Sequence, residues 1–228
     1  MNKLGVNVQY IYHSGFRVET DRRILIFDYF KGKVQLGDKQ TLVFASHAHP
    51  DHFRKKIFDW SNDQPDIAYI LSSDIRHRPE GLNIKALSPY EETTLADVHI
   101  KTFGSTDAGV SFLVETDGLR IFHAGDLNWW YWWGESPEEI ANAEKMFKEE
   151  MAKIKGEAID LAFFPVDPRL EHNSDVGADY FIQEIAPKIL IPMHFGDQAD
   201  AALKYAEKMK GASTQVIAFT EPNQEISL

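Results

Sequence analysis

The run His47-Ala48-His49-Pro50-Asp51-His52 constrains this chain more than any other stretch. It follows Thr41-Leu42-Val43-Phe44-Ala45, an apolar, β-prone segment without a charge. Residues two apart on an extended chain point the same way, so His47 and His49 can reach one metal ion together. Pro50 favours a turn and suits the start of a helix. Beyond it, Asp51 and His52 can diverge toward a second ion. One histidine near a strand end is ordinary; three histidines and an aspartate within six residues after a buried strand point to metal binding.

The 228 residues contain no cysteine. That removes a disulfide framework, a thiolate metal site and a cysteine nucleophile, leaving His, Asp and Glu as ligands. Imidazole and carboxylate suit Zn2+, with Mn2+ and Fe2+ as alternatives. Two other strand ends carry ligand types. Leu119 to Phe122 leads into His123-Ala124-Gly125-Asp126, and Lys188 to Pro192 leads into Met193-His194-Phe195-Gly196. Alone, Asp126 and His194 are equally readable as a loop cap and a core residue. Beside the first run they complete a ligand set, and the two oxygens of Asp126 suit it to bridging two ions.

The first half reads as short strands: Val6 to His13, Phe16 to Glu19, Arg23 to Asp28, Thr41 to Ala45, Ile67 to Leu71, Val98 to Phe103, Val110 to Glu115 and Leu119 to Phe122, with a short helix near Phe53 to Trp60. The second half alternates. Ser136-Pro137-Glu138-Glu139 is a capping box with Pro at the first helical position, opening a helix whose apolar face runs from Ile140 to Ile154. A strand at Ile159 to Phe164, a helix from Asp175 to Ile185, a strand at Lys188 to Ile191, a helix at Ala199 to Met209 and a closing strand at Val216 to Phe219 complete the order. No linker or repeat interrupts it, so one domain over 1–228 is expected: a layered α/β protein with two sheets back to back and helices outside.

His-x-His-x-Asp-His after a strand, then Ala-Gly-Asp, then Pro-Met-His, resembles the metallo-β-lactamase superfamily. Tyr12-His13-Ser14-Gly15-Phe16 followed by Ile24-Leu25-Ile26-Phe27-Asp28 is similar to the opening of the branch that includes ascorbate-6-phosphate lactonase. The resemblance implies a four-layer αβ/βα sandwich and a hydrolytic site with one or two metal ions. It implies His47 and His49 on the first ion, Asp51, His52 and His194 on the second, and Asp126 between them. One feature departs. Members usually carry another first-site histidine in a Gly-His-Thr-like stretch, and Ser105 stands at that position in Phe103-Gly104-Ser105-Thr106-Asp107. Three remedies are open: Asp107 supplies a carboxylate, a histidine arrives from elsewhere (His13, His123 or His172), or the second site works alone.

Metal ions at such a site lower the pKa of bound water to about 7 and so generate hydroxide at neutral pH. Asp51 can orient that hydroxide and pass its proton to a leaving group. Asp28 is either a turn residue or a carboxylate that holds a ligand imidazole. His13, Ser105, Arg169 and His172 are candidate pocket residues; Arg169 equally suits a surface salt bridge. Four of the five tryptophans lie in Trp129-Trp130-Tyr131-Trp132-Trp133. Trp129 and Trp130 are candidate pocket walls, with core packing or an interface between copies as the alternative.

The formal net charge of -11 disfavours nucleic acid and anionic membranes as partners. There is no signal-peptide stretch after Met1 and no apolar run long enough to span a bilayer, so a cytoplasmic protein acting on a small molecule is expected, with a homo-oligomer left open. The leading expectation is a metal-dependent hydrolase of an ester, lactone, amide or phosphoester. The alternative, kept open by Ser105, is a metal-binding sensor or scaffold without turnover. Redox di-iron members of the fold would carry a carboxylate in place of His49, which argues against that third class.

Overall fold

The apolar β-prone segments pair into two sheets. The structure, a computed structural model, describes residues 4–228; Met1 to Lys3, part of the stretch read above for a leader, lie outside the described residues. β1 (Asn7–Tyr12), β2 (Gly15–Glu19), β3 (Arg23–Phe27), β4 (Gln40–Ala45), β5 (Ala68–Ser72) and β6 (Asn83–Leu87) belong to the first sheet. β7 (Glu92–Leu95), β8 (Val98–Phe103), β9 (Ser111–Thr116), β10 (Leu119–His123), β11 (Leu161–Pro165), β12 (Ile189–Met193) and β13 (Gln215–Val216) form the second. β14 (Glu225–Ser227) returns to the first, whose order is β14-β1-β2-β3-β4-β5-β6; the second runs β13-β12-β11-β10-β9-β8-β7.

Each sheet is half antiparallel and half parallel. β3 to β6 pair in parallel, as do β10 to β13. The inner parallel strands β5, β11 and β12 are covered on both faces, which is why they are buried throughout. In β4, Leu42 and Phe44 face the other sheet while Val43 and Ala45 face outward into a second cluster with Ile24, Ile26, Tyr69 and Leu71. Between the sheets, Phe163 packs on Phe16 with ring centroids 4.5 Å apart, and Phe44 meets Phe112 at 5.3 Å. Burying one such side chain contributes about 1.5–3 kcal/mol.

α1 (Pro137–Ile154), α2 (Val176–Ile185) and α3 (Asp200–Lys208) complete the element order. Phe147 and Phe181 pack on Phe164, and Phe181 stacks on Phe122, so α1 and α2 cover the second sheet. The capping box forms as the sequence indicates: Ser136 Oγ accepts from Glu139 N, and the Glu139 carboxylate accepts from Ser136 N at 2.8 Å. The architecture is an αβ/βα sandwich with unequal outer layers. Over the first sheet the segment at Lys55–Asn62 is a 3-10 helix that buries Ile57 and Phe58. No helix among the described residues is long and apolar enough to cross a membrane.

Three strands escape the sequence reading: β6, β7 and β14. They lie at sheet edges or alternate exposed with half-buried residues, so they lack an apolar run. The expected closing strand at Val216 to Phe219 is a correction: pairing stops at Val216, and the last strand is Glu225–Ser227, antiparallel to β1.

Gly109 ties the second sheet to the metal-ligand run. Its φ is +71°, and a Cβ there would lie 1.9 Å from Ser46 O and 2.5 Å from His47 Cβ. Val110 N donates to Ser46 O at 2.9 Å in the same contact. Gly109→Ala is expected to cost at least about 1 kcal/mol, read as a lower urea midpoint at unchanged slope. An unchanged midpoint would show that the contact has no energetic weight.

Candidate metal centre

β1, β3, β4, β8, β10, β11 and β12 share one consequence of their directions: their C-terminal ends gather at one edge of the sandwich. β1 and β3 both run antiparallel to β2, and β8 and β10 both run antiparallel to β9. Ligands of open α/β sheets sit at such ends. Here the segments just past them carry His13, Asp28, His47 to His52, Asp107, Asp126, Asp167 and His194.

Two groups of potential ligands result, each with its donor atoms within 4.8 Å of one another. One is His47, His49 and Asp126; the other is His13, Asp51, His52 and His194. Asp126 joins them. Its Oδ2 lies 3.4 Å from His47 Nε2, and its Oδ1 lies 3.1 Å from His52 Nε2 and 3.2 Å from His194 Nε2.

The far sides of the rings are held in turn. Asp28, fully buried, accepts from His52 Nδ1 at 2.7 Å, from Ser46 N at 2.7 Å and from Ser46 Oγ at 2.6 Å. The Ser46 hydroxyl gives its one hydrogen to Asp28, so it accepts from His47 Nδ1 at 3.0 Å. Asp167 accepts from His194 Nδ1 at 3.0 Å and from Arg169 Nε at 2.9 Å. Each arrangement puts the Nδ1 hydrogen on that partner and leaves Nε2 as the ring atom that faces the centre. The backbone is strained where it delivers these groups: φ is +60° at His13, +42° at Asp28 and +68° at His194.

The donor set fits a metal. Nε2 of His13, His47, His52 and His194 and Oδ1 of Asp126 are buried, and none makes a hydrogen bond. Orphaned polar atoms are costly singly, and here they converge. Nitrogen and oxygen donors without thiolate suit zinc, iron or manganese.

Burial and the like charges of His194 and His52 push the His13 imidazole down to about 3. Burial opposes charge on His52 too, but the Asp126 and Asp28 carboxylates outweigh it and raise that imidazole to about 10. His194 shifts upward for the same reason, against its burial, through Asp126 and Asp167. Asp126 itself, despite burial, is held well below the usual carboxylate range by His194 and His52.

The remaining candidates separate. Asp107 Oδ2 lies 3.8 Å from His49 Nδ1, both half exposed, beside the first group. The His13 ring lies against that of His194, with centroids 4.0 Å apart and planes tilted by 47°, and joins the second group. His123 is fully buried between the sheets: it stacks on Phe27 at 5.0 Å, its Nδ1 accepts from Gly125 N, and its Nε2 donates to Ser14 O. Both nitrogens are engaged, so it replaces no ligand.

Three pocket expectations are corrected. His172 points outward from the 3-10 turn at Pro168–Asn173, which buries Leu170 and Asn173 instead, and it packs on Trp133. Ser105 Oγ accepts from Asp107 N rather than facing the cleft. Trp129 packs on Phe147 and Tyr180 of the helix layer. Trp130 and Arg169 do line the cleft above the centre, with Trp132. The tryptophan stretch turns tightly, with Tyr131 N donating to Trp129 O at 2.8 Å; Trp129 and Tyr131 stack together, and so do Trp130 and Trp132. Asp167, a carboxylate just past a buried strand, was available in the sequence.

A two-sheet sandwich with nitrogen and oxygen donors at its strand ends defines a metal-binding α/β protein. Residues 7–130 match the family described as a beta-lactamase superfamily domain, and the chain belongs to that superfamily. It is 22% identical to the UPF0173 metal-dependent hydrolase of Pyrococcus abyssi, over 98% of this chain and 100% of that one. Among solved structures, Igni18, described as a metallo hydrolase from Ignicoccus hospitalis, shares 19% identity at a TM-score of 0.69 over 97% of both chains. CmlA, a diiron beta-hydroxylase from Streptomyces venezuelae, has a TM-score of 0.64 at 9% identity, over 98% of this chain and 54% of its own. One fold thus carries different reactions, and the function must come from the site.

Metal uptake at neutral pH is expected to release protons, because His52 holds one up to about pH 10 in the metal-free chain. Affinity should therefore rise with pH. Calorimetry in buffers of different ionisation enthalpy checks this; buffer-independent heats would contradict it. Asp28→Asn should weaken metal binding about 10–100-fold, measured by chelator competition.

Proposed function

We propose that this chain is a zinc-dependent hydrolase that cleaves an ester or lactone bond of a small molecule, with amide and phosphoester bonds as the next choices. The observation that carries the reading is the convergence of bare, buried donor atoms around Asp126, at the floor of a cleft of about 470 Å³. His47, His49 and Asp126 would hold one ion, with Asp107 beside them in place of the imidazole that Ser105 does not supply. Asp51, His52 and His194, with His13, would hold the other. Mn2+ and Fe2+ suit the same donors.

Bound divalent ions supply an acidified water and polarise the oxygen of the scissile group. The chain's own residues do the rest. The water oxygen bonds to the carbonyl carbon, the bond to the leaving oxygen breaks, and one proton ends on that oxygen. We assign Asp51 to carry it, because its carboxylate is 43% exposed and borders the space on both sides of the centre. Asp28, Ser46 and Asp167 keep the imidazoles oriented. The resemblance of Tyr12 to Phe16 and Ile24 to Asp28 to the lactonase branch supports a lactone. A cysteine-free, acidic chain suits the cytoplasm.

The first group holds two imidazoles to the second group's three, and this favours a second reading: a metal-binding sensor or scaffold. Metal counting by mass spectrometry on the purified protein, with lactone, aryl ester and phosphodiester assays, separates the two. One or two ions per chain, and turnover reduced at least about a hundredfold by His52→Ala, are expected. Bound metal without turnover of any substrate would favour the sensor. No bound metal, or turnover indifferent to His52→Ala, would reject the hydrolase.

A further inference from the structure

The candidate centre opens on two sides. On one lies the cleft bounded by Trp130, Trp132, Glu135, Glu139 and Met146. On the other lies a recess of about 360 Å³ walled by Tyr12, His13, Phe30 and Asp197. Asp51, Arg169 and His194 border both, so the reacting centre sits between them.

The two sides differ in chemistry. In the cleft, Trp130 and Trp132 lie nearly parallel, with ring centroids 5.9 Å apart and planes 8° from each other. Around them are the carboxylates of Glu135 and Glu139 and the amide of Asn142. Arg169, the one cation of the lining, is already bonded to Asp167. Asn128, 1% exposed, also borders the cleft, and neither atom of its amide has a partner. Flat indoles and the unengaged Asn128 amide suit an uncharged ring. Away from the metal centre, a phosphate at the indoles would face the carboxylates of Glu135 and Glu139.

The recess differs in having cations against its aromatic walls. Lys31 Nζ lies 3.8 Å from the centre of the Tyr12 ring, and the Arg54 guanidinium lies 4.7 Å from that of Phe30. These cation–π contacts hold two exposed positive charges beside the two rings that wall the recess. Of the three carboxylates that border it, Asp197 accepts from the Tyr12 hydroxyl at 2.9 Å, and Asp167 is bonded to Arg169 and His194.

We propose that the substrate is an elongated monoanion, with a flat uncharged ring on Trp130 and Trp132, an anionic group toward Lys31 and Arg54, and the bond to be cleaved between them. The middle of this molecule rests on the hydrolase reading. Its two ends are recognised by side chains outside the metal-ligand groups, so binding tests them without turnover.

Phenoxybutyrate is a suitable probe: ring and carboxylate are joined by an ether that no hydrolase of this kind cleaves. Phenoxybutanol lacks the charge and hexanoate lacks the ring. Tryptophan fluorescence reports the cleft, because four of five tryptophans lie at 129–133; hexanoate is read by competition. With the metal-loaded protein, phenoxybutyrate should bind at least about tenfold tighter than either analogue. Trp132→Ala should weaken both ring-bearing probes, with Trp132→Phe restoring much of the loss. Lys31→Ala combined with Arg54→Ala should bring phenoxybutyrate to the level of phenoxybutanol and leave phenoxybutanol unchanged. The proposal is overturned if the alcohol or hexanoate binds as tightly as the acid, or if Trp132→Ala has no effect. An unaltered affinity in the double variant also overturns it, since the carboxylate would then sit on the metal ions. The expected binding pattern without turnover of any ester would reject the hydrolase reading alone.

Discussion

Asp126 is a carboxylate buried between the ends of two sheets, and the working edge of the sandwich is organised around its charge. Removing such a group from water costs several kcal/mol unless cations or hydrogen bonds compensate. The compensation comes from both sheets: His47 and His52 follow β4 of the first, and His194 follows β12 of the second. One interaction therefore closes the sandwich at the end where the aromatic core stops. Divalent ions would suit these two groups of atoms, since they would take up nitrogens and a carboxylate oxygen that otherwise lack hydrogen-bond partners.

Holding those rings still requires a further layer of buried acids. Asp28 and Asp167 are fully buried, and each takes up the ring nitrogen that faces away from the centre. His13, Asp28 and His194 sit in left-handed backbone, a conformation that non-glycine residues adopt at a cost of order 1–3 kcal/mol each. His194 N donates to His13 O at 3.1 Å, so two of the three strained residues brace each other. The parallel strands and their aromatic core supply the stability that offsets this.

The superfamily fold leaves the reaction open, and two local features narrow it. By its resemblance to the superfamily, His49 stands where a redox di-iron member would carry a carboxylate. Ser105 stands where the same resemblance implies a further imidazole, and Asp107 lies 3.8 Å from His49 beside that group. The differing surroundings of the cleft and the recess then bear on substrate choice rather than on catalysis.

The sequence by itself determined the candidate ligand types and the strand-then-turn setting of each, because those depend on local pattern: apolar β-prone runs ending in His or Asp. It also contained the capping box. Only the tertiary structure decided which candidate ligands lie together, that His13 joins the second group rather than repairing the first, and that His123, one strand end among several, is sealed in the core. It alone turned His172 and Trp129 away from the cleft and brought Asp167 behind His194. Those outcomes depend on how two sheets face each other across more than a hundred residues of chain, where a side chain's partners are set by packing and strand direction, and no local pattern records them.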